Sequence, residues 1–360
     1  MKRKQTRQIC VGGVRIGGGA PVSVQSMCNT DTADTAATLD QLCRLRDAGC
    51  QIARLAVPDA EAAAALPELC RRSPLPLVAD IHFDYRLALE AARAGVHKIR
   101  INPGNIGGEE HVRAVADACR ARGIPIRIGI NGGSLERQLL EKYGRPTPEA
   151  MIESAQAHID MLLRADFSDI CLSLKASSVP LTVAAYRLAA ERFPFPLHLG
   201  VTETGTAYNG VIRSAVGIGT LLSEGIGDTV RVSLTADPVE EVRAGISILK
   251  AAGLRSDGVR LVACPTCGRT RIDLVRLANE VERRLAAVDA DLTVAVMGCV
   301  VNGPGEAREA DYGIAGGKGE GLLFRRGEIL RKVPEAQLCD ALIELIERDL
   351  RTNQTESEQP

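Results

Sequence analysis

Cys264 and Cys267 stand in Cys264-Pro-Thr-Cys267, and Cys299 stands in Met297-Gly-Cys-Val-Val-Asn-Gly-Pro-Gly-Glu306. Two thiols three positions apart, with a third on a separate glycine-rich segment, have the spacing of soft metal ligands. Three thiolates are one short of the four that close a zinc site or a conventional iron–sulfur cluster. Glu306 is the nearest further donor in sequence. A hard carboxylate oxygen on a site built of sulfur would be held less firmly than a fourth thiolate, leaving a corner that a substrate oxygen could take. Gly298, Gly303 and Gly305 would let the backbone approach a bulky group closely. A zinc knuckle with another fourth ligand fits the same pattern, so both metals stay open. The other cysteines of the chain's eleven are scattered among apolar neighbours and read as small buried hydrophobes.

A second group of reactive types falls at the carboxyl ends of strand-like segments. These are Arg54; Asp80 and His82; Arg100, Asn102 and Asn105; Arg127, Asn131 and Ser134; Lys175; His198 and Glu203; and Arg231 and Ser233. Five cations converging on one mouth repel one another unless an anion neutralises them, and arginine forks suit phosphate oxygens. The expected ligand is a small molecule bearing a diphosphate. Asp80 and Glu203 are the candidates for proton transfer. Burial would favour the protonated acid at Glu203 and the neighbouring cations would oppose it. His82 and His198 read as ring-oriented binding groups. No dinucleotide fingerprint is present, and Gly217-Ile-Gly219 reads as helix packing.

The elements that must position these groups alternate. Strand-like runs at Pro21–Ser26, Ile52–Val57, Leu77–Ile81, Lys98–Asn102, Pro125–Ile130, Asp169–Lys175, Leu197–Thr202 and Thr229–Leu234 are separated by amphipathic stretches. Gly49, Gly95, Gly123 and Gly225 stand where helices would end in left-handed caps. The pattern predicts an α/β fold: a closed (β/α)8 TIM-like barrel over residues 1–252, with Ile9–Gly18 as a hairpin plugging its bottom. Residues 253–350 predict a small α+β domain. Its strands are Val259–Ala263, Leu292–Met297, Tyr312–Ala315 and Leu322–Arg325, and its helices are Thr270–Val288, opened by a Thr270–Asp273 capping box, and Glu335–Leu350. Residues 351–360 are polar and unpatterned and read as a disordered tail.

Formal net charge is −1, so no global pull toward nucleic acid or membrane follows. No apolar run approaches the roughly 20 residues of a membrane span, and the basic start leads into no signal-like stretch. The expected location is cytoplasmic. Apart from an iron–sulfur enzyme, a zinc-stabilised barrel hydrolase or phosphotransferase and a non-catalytic anion-binding scaffold fit the same composition.

Nearly the whole chain resembles the 4-hydroxy-3-methylbut-2-en-1-yl diphosphate synthase family of the non-mevalonate isoprenoid pathway. The resemblance runs through Val22-Ser-Val-Gln-Ser-Met27, Pro76-Leu-Val-Ala-Asp-Ile-His-Phe-Asp84, Arg100-Ile-Asn-Pro-Gly-Asn-Ile-Gly107, Lys175-Ala-Ser177, His198-Leu-Gly-Val-Thr-Glu203, Ser223-Glu-Gly-Ile-Gly-Asp228, Arg231-Val-Ser-Leu234 and both cysteine segments. It implies a [4Fe-4S] cluster on Cys264, Cys267, Cys299 and Glu306. It also implies reductive ring opening and dehydration of 2-C-methyl-D-erythritol 2,4-cyclodiphosphate to (E)-4-hydroxy-3-methylbut-2-enyl diphosphate, with flavodoxin or ferredoxin delivering single electrons. Cys28 stands where the family more often has threonine, and Arg213 where lysine is usual; neither belongs to the implied ligand set.

Chain connectivity adds one expectation. The last barrel helix, about 15 residues, would run roughly 22 Å from the mouth back toward the bottom. The few residues after it, at about 3.5 Å each, are too short to return. The metal domain of one chain is therefore expected to cap the barrel of another in a head-to-tail homodimer.

Overall fold

The structure, a computed structural model, describes residues 2–286, 288, 290–299 and 307–357. Two compact units divide the chain, Met1–Arg255 and Ser256–Pro360, against an expected break at 252/253.

The first unit opens with an antiparallel hairpin of β1 (Ile9–Val11) and β2 (Val14–Ile16). Gly12 and Gly13 form its turn at φ 55° and 90°, left-handed values that suit a two-residue hairpin. Ile9, Val11 and Ile16 pack with Ile52, Val78 and Cys171, so the hairpin closes the floor of the barrel as expected. The barrel strands are β3 (Ser23–Met27), β4 (Ile52–Ala56), β5 (Leu77–Asp80), β6 (Lys98–Ile101), β7 (Ile126–Asn131), β8 (Ile170–Lys175), β9 (His198–Leu199) and β10 (Thr229–Val230). Their pairings are parallel in the order β8-β7-β6-β5-β4-β3-β10-β9, and a parallel bridge between Leu172 and Leu197 joins β8 to β9. This is the expected (β/α)8 barrel.

Around it lie α1 (Thr35–Asp47), α2 (Ala60–Arg72), α3 (Tyr85–Ala94), α4 (Glu109–Arg120), α5 (Arg137–Tyr143), α6 (Pro148–Arg164), α7 (Val179–Arg192), α8 (Ala207–Ser223) and α9 (Pro238–Ala251). The local logic is plain in α3. Asp84 caps its start by accepting from the Arg86 N–H, Leu87, Ala88, Ala91 and Ala92 bury one face, and Gly95 ends it at φ 95°. None of the residues of α5 is buried, so this helix leaves no apolar period in the sequence. Along each strand alternate residues point outward to the helices, among them Ile99, Ile101, Ile126, Ile128, Leu172 and Leu174, which belong to the main core. The residues between them point inward.

The second unit is a mixed sheet in the order β11 (Val259–Ala263), β12 (Leu292–Met297), β13 (Tyr312–Gly316), β14 (Glu320–Arg325) and β15 (Glu328–Pro334). The first three strands are parallel and the last two antiparallel. Helices α10 (Leu274–Leu285) and α11 (Leu338–Ser357) cover it, with Leu277, Val281, Leu342 and Ile346 in a shared core. Two expectations are corrected. Helix α10 begins at Leu274, capped by Asp273, whose side chain accepts from the Arg276 N–H. Thr270 instead accepts from the Cys267 N–H, so no Thr270–Asp273 capping box forms. Helix α11 continues to Ser357, so residues 351–357 extend it instead of forming the disordered tail, and 358–360 lie outside the described residues. The edge strand β15 is exposed along most of its length and carries no alternating signal.

Candidate active site

Inward positions at the strand ends build a cavity of about 200 Å³ in the barrel mouth. Arg54, Asp80, His82, Arg100 and Arg127 line it. Asn131, Ser173, Lys175, Thr202, Arg231 and Ser233 complete the lining. All five expected cations therefore meet there.

Two carboxylates hold this charge in place. Asp80 Oδ1 accepts from Arg100 Nη1 at 3.1 Å, and Asp80 Oδ2 lies 3.7 Å from Arg54 Nε and 3.5 Å from His82 Nε2. Burial opposes ionisation of Asp80, but Arg54, the His82 hydrogen bond and Arg100 together hold its carboxyl well below the usual range. Asp80 is thus an acceptor fixed as an anion and poorly suited to donate a proton. Glu241 of α9, only 4% exposed, reaches Arg231 at 3.3 Å and also accepts from Ser26 Oγ at 3.1 Å and the Leu234 N–H at 3.0 Å. The remaining cations are crowded. Burial, then Arg231, Arg127 and Arg54, push Lys175 well below its ordinary value, with Glu241 in partial opposition. Burial and Arg100 push Arg127 down to about 10. A polyanionic ligand would relieve both.

Two glycines make room for this arrangement. A Cβ at Gly129 would meet Arg100 Nε at 2.7 Å, and one at Gly200 would meet Lys175 Nζ at 2.7 Å. A side chain at either position would displace the cation lying over it, and at Gly200 it would also meet the Arg231 carbonyl at 2.8 Å.

The other expected residues are placed differently. Asn131 also lines a neighbouring cleft of about 330 Å³ with Ser134 and Glu203. Glu203 is exposed and takes φ 53°, a left-handed conformation that costs a non-glycine residue energy and clusters at functional sites. Asn102 braces the loop by accepting from the Gly129 N–H at 3.0 Å, and Asn105 lies exposed on a short 3-10 turn. His198 is fully buried below the cavity and does not line it.

In the second unit, β11 and β12 run parallel with Ala263 opposite Val296, so both strands end together. Cys264 follows the first and Cys299 the second. The Gly298 N–H donates to Cys264 Sγ at 3.1 Å, and the Arg271 N–H donates to the Gly298 carbonyl at 3.0 Å, which ties the two loops together. A Cβ at Gly298 would sit about 3.0 Å from Thr270 Oγ1 and 3.1 Å from Leu274 Cδ2, a tight fit that favours glycine. Hydrogen bonding from the Arg269 backbone lowers the Cys267 pKa against the opposing effect of burial. Among the described residues no group of three or more His, Cys, Asp or Glu is gathered closely enough to hold a metal ion. Glu306 lies outside the described residues. Adjacent strand ends, an N–H aimed at one sulfur and a favoured thiolate at another fit a thiolate-ligated metal group.

Residues 6–246 match the family model of the GcpE TIM-barrel domain, and residues 260–348 match that of the GcpE protein C-terminal domain. The chain belongs to the GcpE family. It is 63% identical over 97% of its length to a protein of Geobacter sulfurreducens named 4-hydroxy-3-methylbut-2-en-1-yl diphosphate synthase (flavodoxin), covering 99% of that protein. Relatives of the same name from Clostridium perfringens and Geobacillus kaustophilus are 57% and 58% identical, each over 96% of the chain and over 99% and 92% of the relative. Among solved structures, an N-acetylneuraminic acid synthetase from Leptospira borgpetersenii serovar Hardjo-bovis matches at TM-score 0.52 and 14% identity, over 70% of this chain and 91% of that one. That likeness shows a shared barrel fold.

In this GcpE chain, sequence reasoning missed Glu241, Ser173, Thr202 and the two crossing glycines. Glu241 had a usable signal. It lies on the face that α9 buries with Pro238, Gly245 and Ile248, and an acid among such positions needs a cationic partner. Ser173 had one too, since it alternates with Cys171 and Lys175 on the inward side of β8. Thr202 and the glycines had none.

Proposed function

We propose that the chain is a 4-hydroxy-3-methylbut-2-en-1-yl diphosphate synthase. It converts 2-C-methyl-D-erythritol 2,4-cyclodiphosphate, two electrons and two protons into (E)-4-hydroxy-3-methylbut-2-enyl diphosphate and water. The observation that carries this reading is the mouth itself. Five cations share it with only two paired carboxylates, in a chain whose relatives bear that name. The cyclic diphosphate supplies the missing negative charge. Arg54, Arg100, Arg127, Lys175 and Arg231 bind and orient it, while Asn131 and Ser233 present neutral polar groups.

Cys264, Cys267, Cys299 and Glu306 would hold a [4Fe-4S] cluster, which when bound supplies single electrons and a Lewis-acidic iron at its carboxylate corner. The electron donor is a flavodoxin, the protein in the relatives' names, or a ferredoxin. Asp80 keeps Arg54 and Arg100 in place and Glu241 keeps Arg231. Glu203 delivers the proton that lets the hydroxyl depart as water. It is open to solvent within its own unit, and a domain of a second chain docked over the mouth would close it off from bulk water. Such docking is the head-to-tail homodimer. No helix among the described residues is long and apolar enough to cross a membrane, which accords with a cytoplasmic enzyme.

The test is anaerobic turnover of the cyclic diphosphate with reduced flavodoxin. Wild-type protein should form the linear product. Glu203→Gln should retain the protein's visible absorbance and substrate affinity while kcat falls by about 10²–10⁴-fold. Full activity in this variant would assign the proton to another group, and no turnover by wild-type protein containing iron and sulfide would overturn the reading.

A further inference from the structure

Below the mouth the barrel interior stays polar where branched aliphatic side chains usually fill such a layer. Ile99 and Ile101 point outward into the main core, so Lys98 and Arg100 point inward, with Lys98 one layer deeper. Leu197 and Leu199 likewise leave His198 inside, beneath the Gly200 position over which Lys175 crosses. Val24 points outward and leaves Gln25 inside. The hairpin residues Ile9, Val11 and Ile16 seal the layer from below. Lys98 and His198 are 0% exposed, and Gln25 and Arg127 are each 1% exposed.

These side chains carry more donors than acceptors, the acceptors being Gln25 Oε1 and one ring nitrogen of a neutral His198. Among the described residues, Lys98 Nζ, Arg127 Nε, both ring nitrogens of His198 and both amide atoms of Gln25 have no hydrogen-bond partner. The buried carboxylates of the barrel among the described residues are committed elsewhere: Asp80 to Arg54 and Arg100, Glu241 to Arg231, and Asp228 to Arg3, Thr6 and the Leu197 N–H. Buried polar groups are almost always satisfied by protein, water or an ion, and a sealed cation without a counter-charge is the costliest case. Burial pushes Lys98 down to about 8, with Cys171 opposing the fall and Arg127 and Arg54 adding to it.

We propose that Lys98, Arg127, His198 and Gln25 enclose a binding site for a small monovalent anion of halide size, separate from the diphosphate cavity above it. The donors are the N–H groups of Lys98, Arg127, His198 and Gln25 that have no partner among the described residues. Gln25 Oε1 is an acceptor and suits a water beside the ion. The cavity that opens to solvent is lined by Arg127 but not by Lys98, His198 or Gln25, so a diphosphate in the mouth does not reach them. A halide there offsets the repulsion between Lys98 and Arg127 and steadies the floor on which the substrate-binding cations rest.

Crystals of the full-length protein grown in sodium bromide, measured at the bromine absorption edge, test this directly. The expected result is an anomalous peak in contact with Lys98 Nζ. Water alone in that layer, or bromide confined to Arg54 and Arg231 in the mouth, overturns it. In solution, chloride titrated against gluconate at constant ionic strength should raise the wild-type Tm and leave Lys98→Met unchanged; equal slopes for the two would also overturn it. If Lys98→Met fails to fold, the wild-type bromide map decides.

Discussion

Asp80 shows how one residue can serve stability and function together. It is a buried anion among cations, and removing one partner of such a group costs roughly 3–5 kcal/mol. Asp80→Asn should therefore lower Tm and weaken binding of the cyclic diphosphate, because Arg54 and Arg100 lose their anchor. The pH dependence has a definite sign. Asp80 titrates in the folded chain below its ordinary value of 3.8, so its stabilisation is present above about pH 4 and is lost as pH falls toward the folded pKa. The wild-type-minus-variant difference in denaturant-derived stability should stay flat from pH 5 to 7 and shrink below pH 4. A difference that grows on acidification would contradict this. Several single-residue positions were legible in the sequence because charge at a strand end is informative without coordinates: Arg54, Asp80, His82, Arg100, Arg127, Lys175 and Arg231 all line the cavity. His198 was read at the same kind of position and is instead buried, because depth along a short strand depends on register that sequence does not reveal.

At the scale of elements, the mouth depends on loops that are braced from outside. His158 of α6, 3% exposed, accepts from the Gly104 N–H through Nδ1 at 3.0 Å, which places its proton on Nε2. Nε2 then donates to Glu136 at 2.8 Å, and Glu136 also accepts from Ser154 at 2.9 Å. Gly104 precedes Asn105 after β6, and Glu136 follows Ser134 after β7, so one ring latches two loops of the candidate site. His158→Ala leaves the Gly104 N–H without its partner and takes one of two from Glu136, worth about 1–3 kcal/mol of stability. It should raise KM for the cyclic diphosphate more than it lowers kcat. His158→Asn, whose amide oxygen can stand near the Nδ1 position, should recover most of the loss. An unchanged KM in the alanine variant would remove the latch from the account. No sequence pattern announced this bracing, since a lone histidine on a buried helix face has many uses. The eight strands and the floor hairpin were legible because strands buried on both faces leave continuous apolar runs. Helix α5 and strand β15 were not, because neither buries a regular face.

For the whole molecule, the decisive question is how the cysteine-bearing second unit and the cationic barrel would combine in the proposed reaction. Helix α9 ends at Ala251 and β11 begins at Val259, so few residues join the two units. In the proposed head-to-tail homodimer, each barrel works with the metal unit of the other chain. Mixing Arg231→Ala chains with Cys267→Ala chains should restore up to about a quarter of wild-type activity if subunits exchange freely, since half the dimers are mixed and each holds one intact pair. Mixed dimers without activity would place both halves of the site in one chain. The two-unit division itself was legible from the point where strand–helix alternation stops. The boundary shifted slightly because the linker carries no periodicity of its own.

The most direct test of the whole account is the electronic spectrum of protein purified without oxygen, recorded before and after addition of 2-C-methyl-D-erythritol 2,4-cyclodiphosphate. The account predicts broad visible absorbance with stoichiometric iron and sulfide, and a spectral change that saturates with the cyclic diphosphate and is lost in Arg231→Ala. A colourless protein holding stoichiometric zinc, or a coloured one whose spectrum ignores the cyclic diphosphate, would contradict it.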